Sequence, residues 1–138
     1  MVGSVLVSLV LILVLGMNTY FIGTEKEELP QYQVKKIIDE SGIENPTLLN
    51  YKFLDGGFYT VCDIVPNCKY FSKLNLEYDE MNKMQDYYVD NAMIDFIISL
   101  DKIDSESYKL ISEIDFFDAA RSWDGERNKT YYLYQKNM

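Results

Sequence analysis

The chain has 138 residues, 22 acidic against 13 basic side chains, a net charge of −9 and no histidine. So acidic a balance excludes nucleic acid as a partner, because phosphate backbones are held by clustered Lys and Arg. Without histidine and with only two cysteines, the usual zinc sites and any His-based triad or acid–base pair are excluded as well; no catalytic residue, metal ligand or cofactor is expected.

From Met1 to Thr24 there is no charged side chain, and Val2 to Ile22 supplies 21 mostly apolar residues. About 20 helical residues span the hydrocarbon core of a bilayer, at roughly 1.5 Å per residue. Gly3, Ser4, Ser8 and Gly16 are small enough for close helix approach, and Tyr20 and Phe21 suit the lipid–water boundary. A signal peptide would carry a basic n-region and a small-x-small cleavage site, and a soluble core helix would show a polar face. Neither pattern is present, so residues 1–23 are expected to form a transmembrane helix. The acidic run Glu25-Lys26-Glu27-Glu28 that follows offers no positive anchor. That places residues 24–138 in the extracytoplasmic space as one α/β domain. A start without a basic anchor suits the last helix of a multispanning protein.

In the domain, Pro30 suits a first helical turn, Val34, Ile37 and Ile38 share a face, and Gly42 ends the helix. Residues 47–53 have strand composition, and Asp55-Gly56-Gly57 makes a tight turn into a short helix over 58–64. Lys69-Tyr70-Phe71-Ser72 reads as a second strand. Asp79 and Glu80 open a longer helix, with Met81, Met84, Tyr88 and Ala92 on one side and Asn82, Lys83, Gln85, Asp86 and Asp90 on the other. Strands follow over 95–100, 108–117 and 130–135. Strands separated by helices imply a parallel core, with the last two strands added as an antiparallel hairpin. The fold class expected is α/β: an N-terminal transmembrane helix, then a small three-layer or two-layer domain with a mixed sheet of about five strands.

The stretch Leu48-Leu49-Asn50-Tyr51-Lys52-Phe53-Leu54-Asp55-Gly56-Gly57-Phe58-Tyr59, the segment Val65-Pro66-Asn67-Cys68-Lys69-Tyr70-Phe71 and the ending Thr130-Tyr131-Tyr132-Leu133-Tyr134-Gln135-Lys136 carry a resemblance. Together they resemble the C-terminal extracytoplasmic domain, with its last transmembrane helix, of bacterial multispanning glycosyltransferases of the protein-mannosyltransferase and aminoarabinose-transferase type. The resemblance implies transfer of a sugar from a polyprenyl-phosphate donor, with the catalytic acids in an early loop that this chain does not contain. It therefore implies an accessory domain, inactive alone, whose partners are membrane lipid, the remaining transmembrane part of the enzyme and possible carbohydrate or polyprenyl-phosphate sugar. The alternative is a single-span membrane-anchored module that binds a carbohydrate or a protein.

Two candidate sites follow. Asp55, Gly56, Gly57 and Tyr59 sit where open α/β sheets place ligands: the glycines let a ligand approach the backbone, and Tyr59 offers a ring for a sugar. The same glycines also serve a sharp strand-to-helix turn without any ligand. Arg121, Trp123 and Arg127 combine charge with an interfacial ring and form a candidate membrane-interface site, or fold over the sheet edge. Tyr131, Tyr132 and Tyr134 are either a sugar-stacking face or a half-wet sheet. Cys62 and Cys68 are either a disulfide or two buried thiols. Asp79 and Glu80 read as helix N-terminal charges, and Asn128-Lys129-Thr130 matches a glycosylation sequon that carries little meaning in a bacterial chain.

Overall fold

The computed structural model describes residues 24–73, 78–117 and 128–137, together with Val5 and Val7. After a short 3-10 turn at Lys26–Glu28, helix α1 runs Pro30–Glu40. Proline occupies its first turn, where no backbone donor is needed, and Val34 and Ile38 are buried one helical turn apart. Ser41 donates its hydroxyl to the Ile38 carbonyl (2.6 Å) and Gly42 reverses the chain at φ +72°. Strand β1, Leu48–Tyr51, leads through the Asp55–Gly57 turn to a five-residue helix α2, Phe58–Cys62. Helix α3, Asp79–Asp90, carries Asp79 and Glu80 in its first turn, as its dipole favours. Strands β2 (Phe96–Ser99), β3 (Tyr108–Phe117) and β4 (Asn128–Lys136) complete the sheet.

The strand order is β1-β2-β4-β3, with β1 and β2 parallel and the other two pairs antiparallel. The β3–β4 hairpin thus joins the sheet through its last strand. Composition explains why. Leu133 and Tyr134 are adjacent and both buried, one against each face, which suits a central strand. Strand β3 carries exposed Lys109, Glu113 and Asp115, which a sheet edge tolerates and which discourage edge-to-edge pairing.

Side chains alternate across the sheet and build two cores. Leu48, Phe96, Ile98, Ile114 and Leu133 pack under α1 and α2 on one face. Leu49, Ile97, Tyr108 and Tyr134 pack with Tyr88 and Val89 of α3 on the other. The result is three layers, helix, sheet, helix. At the N-terminal ends of the parallel pair, Asp95 accepts from both the backbone N–H and the hydroxyl of Thr47 (2.9 and 2.6 Å). Thr47 Oγ1 in turn accepts from the Asp95 N–H (2.8 Å), a reciprocal clamp that fixes the register of β1 against β2.

Two sequence expectations are corrected. The sheet has four strands, because Lys69–Ser72 joins no ladder. That segment does run beside the edge of β1, with Asn50 N–H donating to the Phe71 carbonyl (3.0 Å) and Lys73 N–H to the Phe53 carbonyl (2.8 Å). Between those bonds the place of a ladder partner is taken by Gln85 of α3, which has no exposed surface. Its Nε2 donates to the Tyr70 carbonyl (2.9 Å) and the Asn50 carbonyl (3.4 Å), and its Oε1 accepts from the Lys52 N–H (2.9 Å). Gln85 therefore faces inward, against the outward position expected for it. The second correction concerns the membrane span. The three helices have 11, 5 and 12 residues, so the longest extends about 18 Å against a hydrocarbon core of about 30 Å. Among the described residues no helix is long and apolar enough to cross a membrane. Of the stretch 1–23 expected to do so, all but Val5 and Val7 lie outside the described residues.

Removing Gln85 leaves three backbone groups of an edge strand without a partner, and each such loss costs about 1–3 kcal/mol. The substitution Gln85→Leu, which keeps the bulk, is expected to cost about 2–4 kcal/mol in urea unfolding. An unchanged midpoint would show that water replaces these bonds at no cost.

Candidate functional site

The corner at the C-terminal end of β1 is built by residues from three elements. Asn50, the third residue of β1, is wholly buried and points its Nδ2 at Asp55 Oδ1 (2.6 Å). The same carboxylate oxygen accepts from the Phe58 N–H (3.1 Å) at the start of α2. Gly56 offers its carbonyl to Gln31 Nε2 of α1 (2.6 Å). Gly57 stands at φ +90°, where a side chain would be strained although a Cβ there would meet nothing within 4 Å. Asp55 and Gly56 are exposed, so the turn forms a surface cap over the Asn50 amide.

Tyr59 is no ring for a ligand. It is buried, edge-on to Phe71 with centroids 5.1 Å apart. Its hydroxyl lies 2.7 Å from the Leu48 carbonyl and 2.9 Å from the Phe71 carbonyl, donating its single proton to one of them at a time. Burial pushes its pKa far above the ordinary phenol value, so it is no acid or base near neutrality. Of the four candidate residues, then, the structure keeps Asp55, Gly56 and Gly57 together at the surface and folds Tyr59 inward.

Beside the turn, Lys52 at φ +61° places its ammonium 2.7 Å from Asp86 Oδ1 and 4.7 Å from the centre of the Tyr51 ring. Tyr51 donates its hydroxyl to the same carboxylate (2.5 Å). Burial alone would raise the Asp86 pKa, but the bonds from Lys52 and Tyr51 outweigh it and hold the carboxyl below its usual range. Burial likewise pulls Lys52 down, and Asp86 with Tyr51 reverses the sign. Tyr51 is raised, first by burial and then by its bond to Asp86. All three groups are thereby locked in their ordinary charge states, and none is poised for proton transfer.

The remaining sequence candidates separate. Arg121, Trp123 and Arg127 lie outside the described residues. The three tyrosines of β4 divide between the faces and form no platform. Tyr131 packs on Phe53 and Phe58, Tyr134 is buried with its hydroxyl accepting from the Ile103 N–H (2.8 Å), and half-buried Tyr132 is covered by Lys102. Both cysteines are free thiols. Cys62 belongs to the α1/α2 core and Cys68 packs against the opposite one. Burial pushes both thiols up, Cys62 to about 11, so neither is an activated nucleophile. Among the described residues no group of three or more His, Cys, Asp or Glu side chains could hold a metal ion.

Sequence reasoning passed over Asn50 and Gln31, whose amides end the same turn. Asn50 Oδ1 and Gln31 Oε1 are shielded from solvent and have no hydrogen-bond partner. A buried acceptor in that state costs about 1–3 kcal/mol, so two on one turn call for an explanation. The signal available in the sequence was an asparagine at a core position of a strand otherwise made of Leu and Tyr.

No protein-family model, curated protein or solved structure matches this chain.

Two outcomes check the electrostatics of this corner. Asp55→Ala removes the acceptor shared by Asn50 and Phe58 and is expected to cost about 1–3 kcal/mol in urea unfolding, whereas Asp55→Asn, which keeps an oxygen there, costs less. The raised Cys62 thiol gives a pH signature. The unfolded chain loses this proton near pH 9 and the folded chain near 11. Its contribution to stability is therefore whole below pH 9 and lost as pH climbs toward 11. Cys62→Ser should flatten that alkaline decline relative to the parent chain.

Proposed function

We propose that this chain is a non-catalytic binding module whose ligand contacts the Asp55–Gly57 turn through hydrogen-bond donors. The observation that carries this reading is the pair of unpartnered acceptors, Asn50 Oδ1 and Gln31 Oε1, on either side of one exposed turn. The place agrees with the rule that α/β sheets receive ligands at the C-terminal ends of parallel strands. The non-catalytic part rests on chemistry. The histidine-free sequence offers no ordinary base, both thiols are raised, and the Lys52–Asp86–Tyr51 group is held in its resting charge states.

Carbohydrate is the ligand class that the sequence resemblance brings forward, since sugar hydroxyls are donors. The same resemblance supplies the setting: an accessory domain serving a polyprenyl-phosphate glycosyltransferase at a membrane surface. That setting rests on the quoted sequence segments alone.

Titration of the full chain, labelled with nitrogen-15, with glucose and mannose checks the reading. The backbone amides of Gly56 and Gly57 and the side-chain amide of Asn50 are expected to move together, saturating at roughly millimolar sugar. Shifts confined to other surfaces, or none, would overturn it.

A further inference from the structure

The amide groups at this turn also select the kind of donor. Each of the two side chains has spent its N–H₂ inward: Asn50 Nδ2 donates to Asp55 Oδ1, and Gln31 Nε2 to the Gly56 carbonyl. What remains at both is an acceptor oxygen and nothing else. Between them stands the Asp55 carboxylate, also an acceptor, whose partners are two neutral N–H groups. Among the described residues, the ion pairs are Lys35–Asp39, Lys36–Glu40, Lys52–Asp86, Lys69–Glu80 and Lys102–Glu113, and Asp55 takes part in none of them.

A site of three acceptors with one uncompensated negative charge disfavours anions outright. It also serves a hydroxyl poorly, because a hydroxyl brings lone pairs for which the site has no donor. The complementary group is a cation that only donates. From this geometry we infer that the turn binds a primary ammonium group, whose three N–H bonds match Asp55, Asn50 Oδ1 and Gln31 Oε1. The inference rests on the binding role proposed above and sharpens its ligand class. Entry is through the exposed segment Leu54–Gly56, which covers Asn50 and must lift for the ammonium to reach Oδ1. Gly57, in the left-handed region with open space around its Cα, is the point about which the segment turns.

Three probes of matched size test this on the full chain, read by nitrogen-15 shifts of Gly56, Gly57 and the Asn50 side-chain amide. Methylammonium is expected to move all three, while tetramethylammonium, a cation without donors, and ethylene glycol, a neutral donor, leave them in place. Gln31→Met removes one acceptor from a partly exposed side chain and should weaken methylammonium binding at least threefold. Asp55→Asn, which keeps an oxygen for Asn50 and Phe58, should abolish it while the remaining amide spectrum stays folded. Equal shifts from ethylene glycol would overturn the ammonium inference and leave the donor-binding role standing. Equal shifts from tetramethylammonium would reduce it to unspecific charge attraction and overturn it too. If none of the probes moves these resonances, the ammonium inference and the role it rests on both fall.

Discussion

An edge strand of four residues has too few ladder bonds to hold its own position, and in this fold the deficit is met by one side chain. Gln85 reaches from α3 past the sheet to take the Lys52 N–H and the carbonyls of Asn50 and Tyr70. An amide is suited to this because it donates and accepts from adjacent atoms, as a peptide group does. It thereby stands in for a neighbouring strand. Through the Tyr70 carbonyl it also draws the segment 69–73 along the edge, where Asn50, Lys73 and Tyr59 add further bonds. The edge is covered without becoming a fifth strand.

Fixing β1 in this way fixes what lies at its end. Asn50 belongs at once to the β1 backbone that Gln85 holds and to the amide that Asp55 caps. The Asp55 carboxylate passes the constraint on to the first N–H of α2, and Gln31 ties the turn to α1. One polar chain thus runs from α3 through β1 and the turn to α2 and α1, crossing all three layers. Inside a protein such chains are stabilising only where their members are satisfied. Here the members are satisfied except at two oxygens, both beside the exposed turn, which is why function is sought there and not at the fully paired Lys52–Asp86–Tyr51 group.

Much of the local structure was legible from residue patterns. Proline before a Val34/Ile38 stripe, paired acids ahead of Met81, and a half-alternating run from Tyr108 to Phe117 each mark an element that the fold contains. The errors have particular causes. Lys69–Ser72 has the aromatic content of a strand, but side chains from α2 and α3 occupy its bonding positions. Gln85 was placed on the solvent side by its polarity, though its spacing from Met81 and Tyr88 puts it on the buried face of α3. Tyr59 was read as an exposed ring because it follows two glycines, yet the turn they make sends it into the core.

The sequence by itself determined the elements, their approximate ends and the α/β class, because helical spacing, strand alternation and Gly or Pro punctuation act within a few residues. It also settled that histidine chemistry and a basic nucleic-acid surface are absent, since these depend on composition alone. Only the tertiary structure decided that β4 lies inside β3, that a glutamine completes the edge of β1, and that two amide oxygens meet at one turn without partners. Those facts join residues 15 to 35 positions apart, and no local pattern encodes which distant polar groups a buried side chain will face.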